Sequence, residues 1–260
     1  MASIGLKDMS KSRKAKLGTF IVEFATPGIG HIAHNAGCDF VLLDMEHSAF
    51  SHETVKSAIR YFEAAGVRVI VRSPSRDYTM IARACDAGAE GVMVPMVSTA
   101  EEARMMLDHM KYFPQGKRGV ALSIAHDNYS NSTASVADRM QAANDRLTFF
   151  CQIETAEGAE NVDAIATVEG VDCLWVGHFD LSTSLGIPGQ FEHPKYIAAM
   201  DRIIAAAKKH NKALGRLVPS TDLGIALFKD GFDFCCYSGD VWLLQQALSE
   251  GISRLKAGCV

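Results

Sequence analysis

The sequence predicts an α/β protein, a single-domain (β/α)8 TIM barrel covering residues 1–260, on three observations. Eight short, β-rich apolar runs alternate with longer amphipathic stretches. The runs are apolar almost without interruption, as parallel strands covered on both faces are. Eight such units in 260 residues match the roughly 250 residues typical of the closed barrel, and no GxGxxG follows the first run, which weighs against an open, doubly wound sheet.

In chain order the runs are "LGTFIVEF" (17–24), "FVLLDM" (40–45), "VRVIVR" (67–72), "GVMVPM" (91–96), "LTFFCQIE" (147–154), "CLWVGH" (173–178), "ALGRLV" (213–218) and "FDFCCYS" (232–238). After the second run, "SHETVKSAIRYFEAAG" has apolar residues at helical spacing, a start signal in Ser51 with Glu53 and Thr54, and a stop at Gly66. "TAEEARMMLDHMKYF" and "HPKYIAAMDRIIAAAKKHN" repeat that pattern with lysines toward their ends, where they complement the helix dipole. Residues 97–147 exceed what one helix needs and contain "PQGKRGVALSIAHDNYSNST". An excess of this kind is expected to be a lid or a binding loop. The last stretch, "VWLLQQALSEGISRLKAG", is amphipathic enough to pack on a neighbouring subunit, which predicts a homo-oligomer.

Composition narrows the function. A net charge of −4 offers no basic face for phosphates, so neither nucleic acid nor an anionic membrane is an expected partner. "KSRKAK" near the N-terminus is too short to change this and reads as a solvated arm. The seven cysteines are scattered without metal-knuckle spacing, and Cys235 and Cys236 are adjacent. They read as reduced apolar fillers, which points to the cytoplasm. "MASIGLKDMSKSRKAK" lacks the apolar core of an address tag, and no run approaches the roughly 20 residues that span a bilayer. "HIAH" (31–34) lacks the glutamate of a zincin helix, and the Met-rich stretches at 93–96 and 105–110 read as packing.

Barrel enzymes carry their sites at the C-terminal ends of the strands. There the second run offers Asp44, Glu46 and His47, the third Arg72, the fifth Glu154, and the sixth His178 and Asp180, with Glu23, Ser238 and Asp240 at the ends of the first and eighth. The opposite ends offer little beyond Gly, Lys and Asp in turns. Glu154 and Asp180 lie one β/α unit apart and belong on neighbouring strands, where two carboxylates suit a hard divalent cation; a pair satisfied by arginines or caps is the plainer alternative. Asp44 and His47 are spaced for an aspartate that holds an imidazole as general base, although Asp44 also suits a helix cap. Arg72 fits a carboxylate or a developing enolate oxygen, or an ion pair with Asp44 or Glu46. No run contains a lysine, so Schiff-base chemistry is not expected.

"FVLLDMEHS", "VRSPSRDYTMIARACDAGAEGVMVPMVSTAEEA", "FPQGKRGVA" and "QIETAEGAENVDAIATVEGVDCLWVGHFDLSTSLGIPG", in this order, resemble the HpcH/HpaI aldolase family, the metal-dependent class II pyruvate aldolases. The resemblance implies a (β/α)8 barrel, commonly a hexamer built as a trimer of dimers that exchange the last helix. It implies reversible cleavage of a 4-hydroxy-2-oxo acid into pyruvate, or a pyruvate analogue, and an aldehyde, with Mg2+, Mn2+ or Co2+ and no organic cofactor. By position it makes Glu154 and Asp180 the metal ligands, His47 the base, Asp44 its orienting partner, and Arg72 the group that steadies the oxygen on the second carbon. The turn Gly177, His178, Phe179 and Asp180 would bind substrate, backbone amides around Phe179 and Asp180 taking the pyruvate carboxylate. Glu46 is left without a settled role.

Two features depart from the family pattern. His178 and Phe179 stand where many relatives have Pro-Ala, and "VALSIAHDNYS" lacks the arginine-containing stretch of some diacid-cleaving members, which argues against a dicarboxylate substrate. His126, Asp127 and Tyr129 are candidates to contact hydroxyls of a polar aldehyde, or to cap the loop or meet a neighbouring subunit. The alternative function is a CoA-thioester lyase of the citrate lyase β or malyl-CoA type. It calls for a basic nucleotide-binding surface that this acidic chain does not advertise.

Overall fold

The structure, a computed structural model, describes residues 4–259; the start of the N-terminal arm (residues 1–3) and residue 260 lie outside the described residues. Eight strands form a closed parallel barrel in sequential order: β1 (Lys16–Ile21), β2 (Phe40–Asp44), β3 (Arg68–Arg72), β4 (Gly91–Val94), β5 (Thr148–Ile153), β6 (Val171–Val176), β7 (Ala213–Val218) and β8 (Phe234–Gly239). The helices are α1 (Leu6–Lys11), α2 (Ile29–Asn35), α3 (His52–Ala64), α4 (Tyr78–Asp86), α5 (Ala100–Met110), α6 (Val136–Arg146), α7 (Ala156–Glu160), α8 (Val162–Ala166), α9 (His178–Ser184), α10 (Pro194–Lys209), α11 (Thr221–Lys229) and α12 (Asp240–Gly258). Each of the eight apolar runs contains or overlaps one strand. The caps act as their residues suggest: Ser51 accepts from the Thr54 N–H at the start of α3, and Gly66 turns the chain with φ +77°.

Strand alternation sorts the apolar side chains into two cores. Phe40, Leu42, Ile70, Met93, Phe150, Trp175 and Phe234 fill the barrel, while Val41, Leu43, Val69, Val71, Phe149 and Leu174 pack outward against the helices. The same parity decides which polar residues enter the barrel. Asp44, Arg72, Gln152 and Glu154 lie on inward positions at the C-terminal mouth.

The floor carries more charge than its sequence suggested. β1 begins at Lys16, so one strand does contain a lysine, and Arg68, Glu90, Asp172 and Asp233 stand nearby. They are satisfied by one another, by α1 and by the arm that follows it. Leu6 of α1 is fully buried in the barrel core, its N–H bonded to Glu90; Arg68 pairs with Glu90, Lys7 with Asp172, and Arg13 with Asp233. Burial pushes the Lys16 pKa down to about 8, against the pull of Asp233 3.9 Å away. Lys16 sits at the end of the barrel away from the mouth, so it supplies no imine-forming amine there. Residues 11–16 are thus partly pinned rather than a free solvated arm.

The long connection is also placed differently from expectation. Helices run antiparallel to the strands, so a segment leaving α5 and entering α6 belongs to the floor side. It is anchored there by Arg118 to Asp86 at the end of α4, Arg60 to Asn128, and Arg146 to the Gly88 carbonyl. It does not cover its own barrel's mouth. Among the described residues no helix is long and apolar enough to cross a membrane, and the cysteines are free.

Leu6→Ala should cost about 2–5 kcal/mol, because the α1 plug would leave a cavity in the barrel floor. Guanidinium unfolding measures it; a loss under about 1 kcal/mol would show that α1 is not part of the core.

Candidate active site

Asp44 and Arg72 end adjacent strands in matched register. Asp44 is fully buried and accepts four hydrogen bonds: from Arg72 Nε at 2.7 Å and Nη2 at 2.8 Å, and from the backbone N–H of Glu46 at 3.0 Å and His47 at 3.1 Å. Burial works against the Arg72 charge, but the Asp44 bonds and the charges of Asp44, Glu46 and Glu154 hold its pKa above the usual arginine value. The guanidinium also lies 5.0 Å from the Phe20 ring centroid. It is fixed on three sides with one edge toward the mouth.

This arrangement corrects one expected partnership. Asp44 does not hold the His47 imidazole; its oxygens are filled by Arg72 and the turn amides. The nearest carboxylate to His47 is Glu46, whose Oε2 stands 4.0 Å from Nε2 and 3.2 Å from Arg72 Nε. Burial raises the Glu46 pKa, and the charges of Asp44 and Asp180 add to the effect. The His47 side chain is 66% exposed and free to reach into the mouth.

Opposite this pair, Glu154 extends β5 inward at 2% exposure. One oxygen accepts from the Met96 N–H at 2.7 Å and the other from Gln152 Nε2. Burial pushes its pKa up to about 7, the two hydrogen bonds pull against that, and Glu46 and Asp180 add like charge. Gly177 is required beside it, since a Cβ there would come within 2.2 Å of Glu154 Oε2. Met96 holds φ +58°, a strained conformation for a bulky side chain; it aims the Met96 amide at Glu154.

Asp180 is exposed in the first turn of α9, on the rim facing Glu154 and Glu46. His178, expected beside the substrate, turns away. Its ring is 7% exposed, packs 5.4 Å from Phe191 behind α9, and has its pKa pushed down to about 4 by burial and then by Arg216. Phe179 projects outward, 60% exposed. Asp240 is committed to the backbone amides of Val22, Glu23 and Phe24. His126 bonds the Ala121 carbonyl and Tyr112, Asp127 pairs with Arg139, and exposed Tyr129 lies under Lys56. All three lie in the floor-side loop. The first two are struts.

Among the described residues no three His, Cys, Asp or Glu side chains converge as a ready-made metal cage. Two neighbouring carboxylates, one buried and one open, nonetheless fit a hard divalent cation whose other positions go to water and substrate. Sequence reasoning passed over Gln152 and Met96. Gln152 was findable, as a polar residue in register with Glu154 inside an apolar run; a backbone amide such as that of Met96 leaves no sequence signal.

The HpcH/HpaI aldolase/citrate lyase family model matches residues 17–247. Similar curated proteins include the hydroxypyruvate/pyruvate aldolase of Chromohalobacter salexigens, 34% identical over 90% of this chain and 91% of that one. The 5-keto-4-deoxy-D-glucarate aldolase of Shigella boydii is 33% identical over 83% and 82%. Among solved structures, the HpcH/HpaI aldolase of Desulfitobacterium hafniense is 34% identical with a TM-score of 0.89, over 97% of each chain.

If Glu154 holds a divalent cation, its carboxyl must first shed its proton, and Mn2+ affinity should fall as pH drops through about 7, approaching tenfold per unit below it. Electron paramagnetic resonance of free Mn2+ reads this directly. Affinity unchanged from about pH 8 to about pH 5.5 would contradict the role given to Glu154.

Proposed function

The chain belongs to the HpcH/HpaI aldolase/citrate lyase family, and we propose that it is a divalent metal-dependent class II aldolase, a carbon–carbon lyase. It reversibly cleaves a 4-hydroxy-2-oxo acid into pyruvate, or a pyruvate analogue, and an aldehyde. The observation that carries this reading is the buried Asp44–Arg72 pair facing the Glu154 and Asp180 carboxylates across one mouth.

Glu154 and Asp180 hold the cation, which is Mg2+, Mn2+ or Co2+. When bound, it supplies Lewis-acid polarisation of the 2-oxo acid. Amides of Phe179 and Asp180, in the first turn of α9 where helical N–H groups lack intrahelical partners, take the carboxylate. Arg72, immobilised by Asp44, presents N–H groups to the oxygen on the second carbon. His47 accepts the proton of the 4-hydroxyl, the bond between the third and fourth carbons breaks, and its electron pair becomes the enolate whose charge Arg72 steadies. The aldehyde leaves, and protonation of the third carbon gives pyruvate.

α12 supports an oligomer. It has no buried residue, and Leu244, Leu248, Ile252 and Leu255 are exposed along it. Beside its base lies an apolar groove of about 1040 Å3 lined by Leu17, Ile29, Ile32, Ile225, Phe228 and Leu244. A second copy's α12 is the occupant we assign to it, giving dimers that assemble as a hexamer.

Deuterium exchange into the pyruvate methyl group, followed by NMR, should require Mn2+ or Mg2+ and stop with EDTA. Absence of exchange with every divalent cation in folded protein would overturn the proposal and favour the CoA-thioester lyase. Glu154→Ala and Asp180→Ala should abolish metal-stimulated turnover, whereas His47→Ala should bind metal and lose at least about 100-fold in rate. Full metal-stimulated activity in Asp180→Ala would refute that ligand. Leu248→Glu with Ile252→Glu should yield a smaller species by light scattering; an unchanged mass would refute the α12 contact.

A further inference from the structure

On the outer face of β7, Arg216 is 5% exposed and, by parity with Leu214 and Val218, points into the helix layer. Its Nε makes no hydrogen bond, and among the described residues its guanidinium has no carboxylate partner. Tyr196 of α10 faces it at 3% exposure, its hydroxyl also unbonded. Phe191 lies 5.8 Å away, ring centroid to Cζ, and the His178 ring packs on that same Phe191 from α9. The neighbouring strand positions are Val176 and Cys235. Among the described residues no carboxylate acts on Arg216.

The contrast with the other buried arginine is direct. Arg118, 3% exposed, also leaves its Nε unbonded, but its two terminal nitrogens bond the Met110 carbonyl, Tyr112 and the Asp86 carboxylate. An arginine does not escape burial by losing its proton, and an unpaired buried charge is strongly destabilising. Two buried groups, the Arg216 Nε and the Tyr196 hydroxyl, therefore face each other's surroundings with no hydrogen-bond partner, and the guanidinium has no carboxylate to balance it. Buried donors in folded proteins find partners.

We propose that Arg216 and Tyr196 form a binding site for a small monovalent anion, a halide or a short carboxylate, enclosed between β7, α9 and α10. It is separate from the mouth, because Arg216 points out of the barrel while Glu154 and Arg72 point in. The bound anion ties β7 and α10 to α9, the helix that carries Asp180. The site stands independently of the reaction proposed above. Its occupant comes either from the inorganic halide pool or from a small oxo acid such as pyruvate.

The test is thermal unfolding of the full-length protein at fixed ionic strength, exchanging a bulky sulfonate for chloride, bromide, formate or pyruvate. Wild type should gain about 2–4 °C, saturably, with the anions that fit. Arg216→Met should lose that response, and Tyr196→Phe, which keeps the charge and packing, should weaken it. Preference for chloride over pyruvate, or the reverse, identifies the source. A bromide-soaked crystal should show an anomalous peak at the Arg216 guanidinium. Equal responses of wild type and both variants, or no peak at Arg216, would overturn the site.

Discussion

The bidentate contact between Asp44 and Arg72 is the interaction on which the mouth of this barrel depends. Two ionised groups sealed at the end of an apolar barrel are stable only if each fills the other's hydrogen-bonding capacity. Asp44 achieves this by adding the Glu46 and His47 amides to Arg72. One carboxylate thereby fixes both the guanidinium and the turn that presents Glu46 and His47. The charge on Arg72 in turn makes a nearby pair of carboxylates tolerable, and these are the groups suited to a divalent cation.

The two ends of the barrel solve the same physical problem differently. At the floor, Arg68, Glu90, Asp172, Asp233 and Lys16 are neutralised within the chain by α1 and the arm that follows it. At the mouth, Arg72 is committed to Asp44, no described cationic side chain forms an ion pair with Glu154 or Asp180, and burial pushes the Glu154 pKa up to about 7. Charge that is paired serves the fold; charge left unpaired beside an opening is available for chemistry.

The barrel was legible because eight apolar runs and capped helices agree with each other and with chain length. Strand-end positions of Asp44, Arg72 and Glu154 followed from the runs themselves. What failed were choices that depend on where a side chain finds its partner. Asp44 and His47 have a spacing compatible with a dyad, but backbone amides in the tight turn competed for the aspartate and Arg72 took the rest. The loop holding His126 looked like a lid by length alone, although strand polarity already assigned it to the floor. His178 occupies an outward parity position, so its imidazole enters the helix layer. Arg216 sat unnoticed in an apolar run, because a lone arginine gives no sign in sequence that it lacks a counter-charge.

The most direct test of this account is a double-mutant cycle on Asp44 and Arg72, using Asp44→Asn, Arg72→Lys and both together, with the metal-dependent rate of pyruvate proton exchange as readout. If the pair acts as one unit, the double variant is no slower than the worse single variant, a coupling at the upper end of the roughly 0.5–3 kcal/mol seen for contacting groups. Losses that simply multiply would show the two residues acting independently, and the central role assigned to their contact would fall.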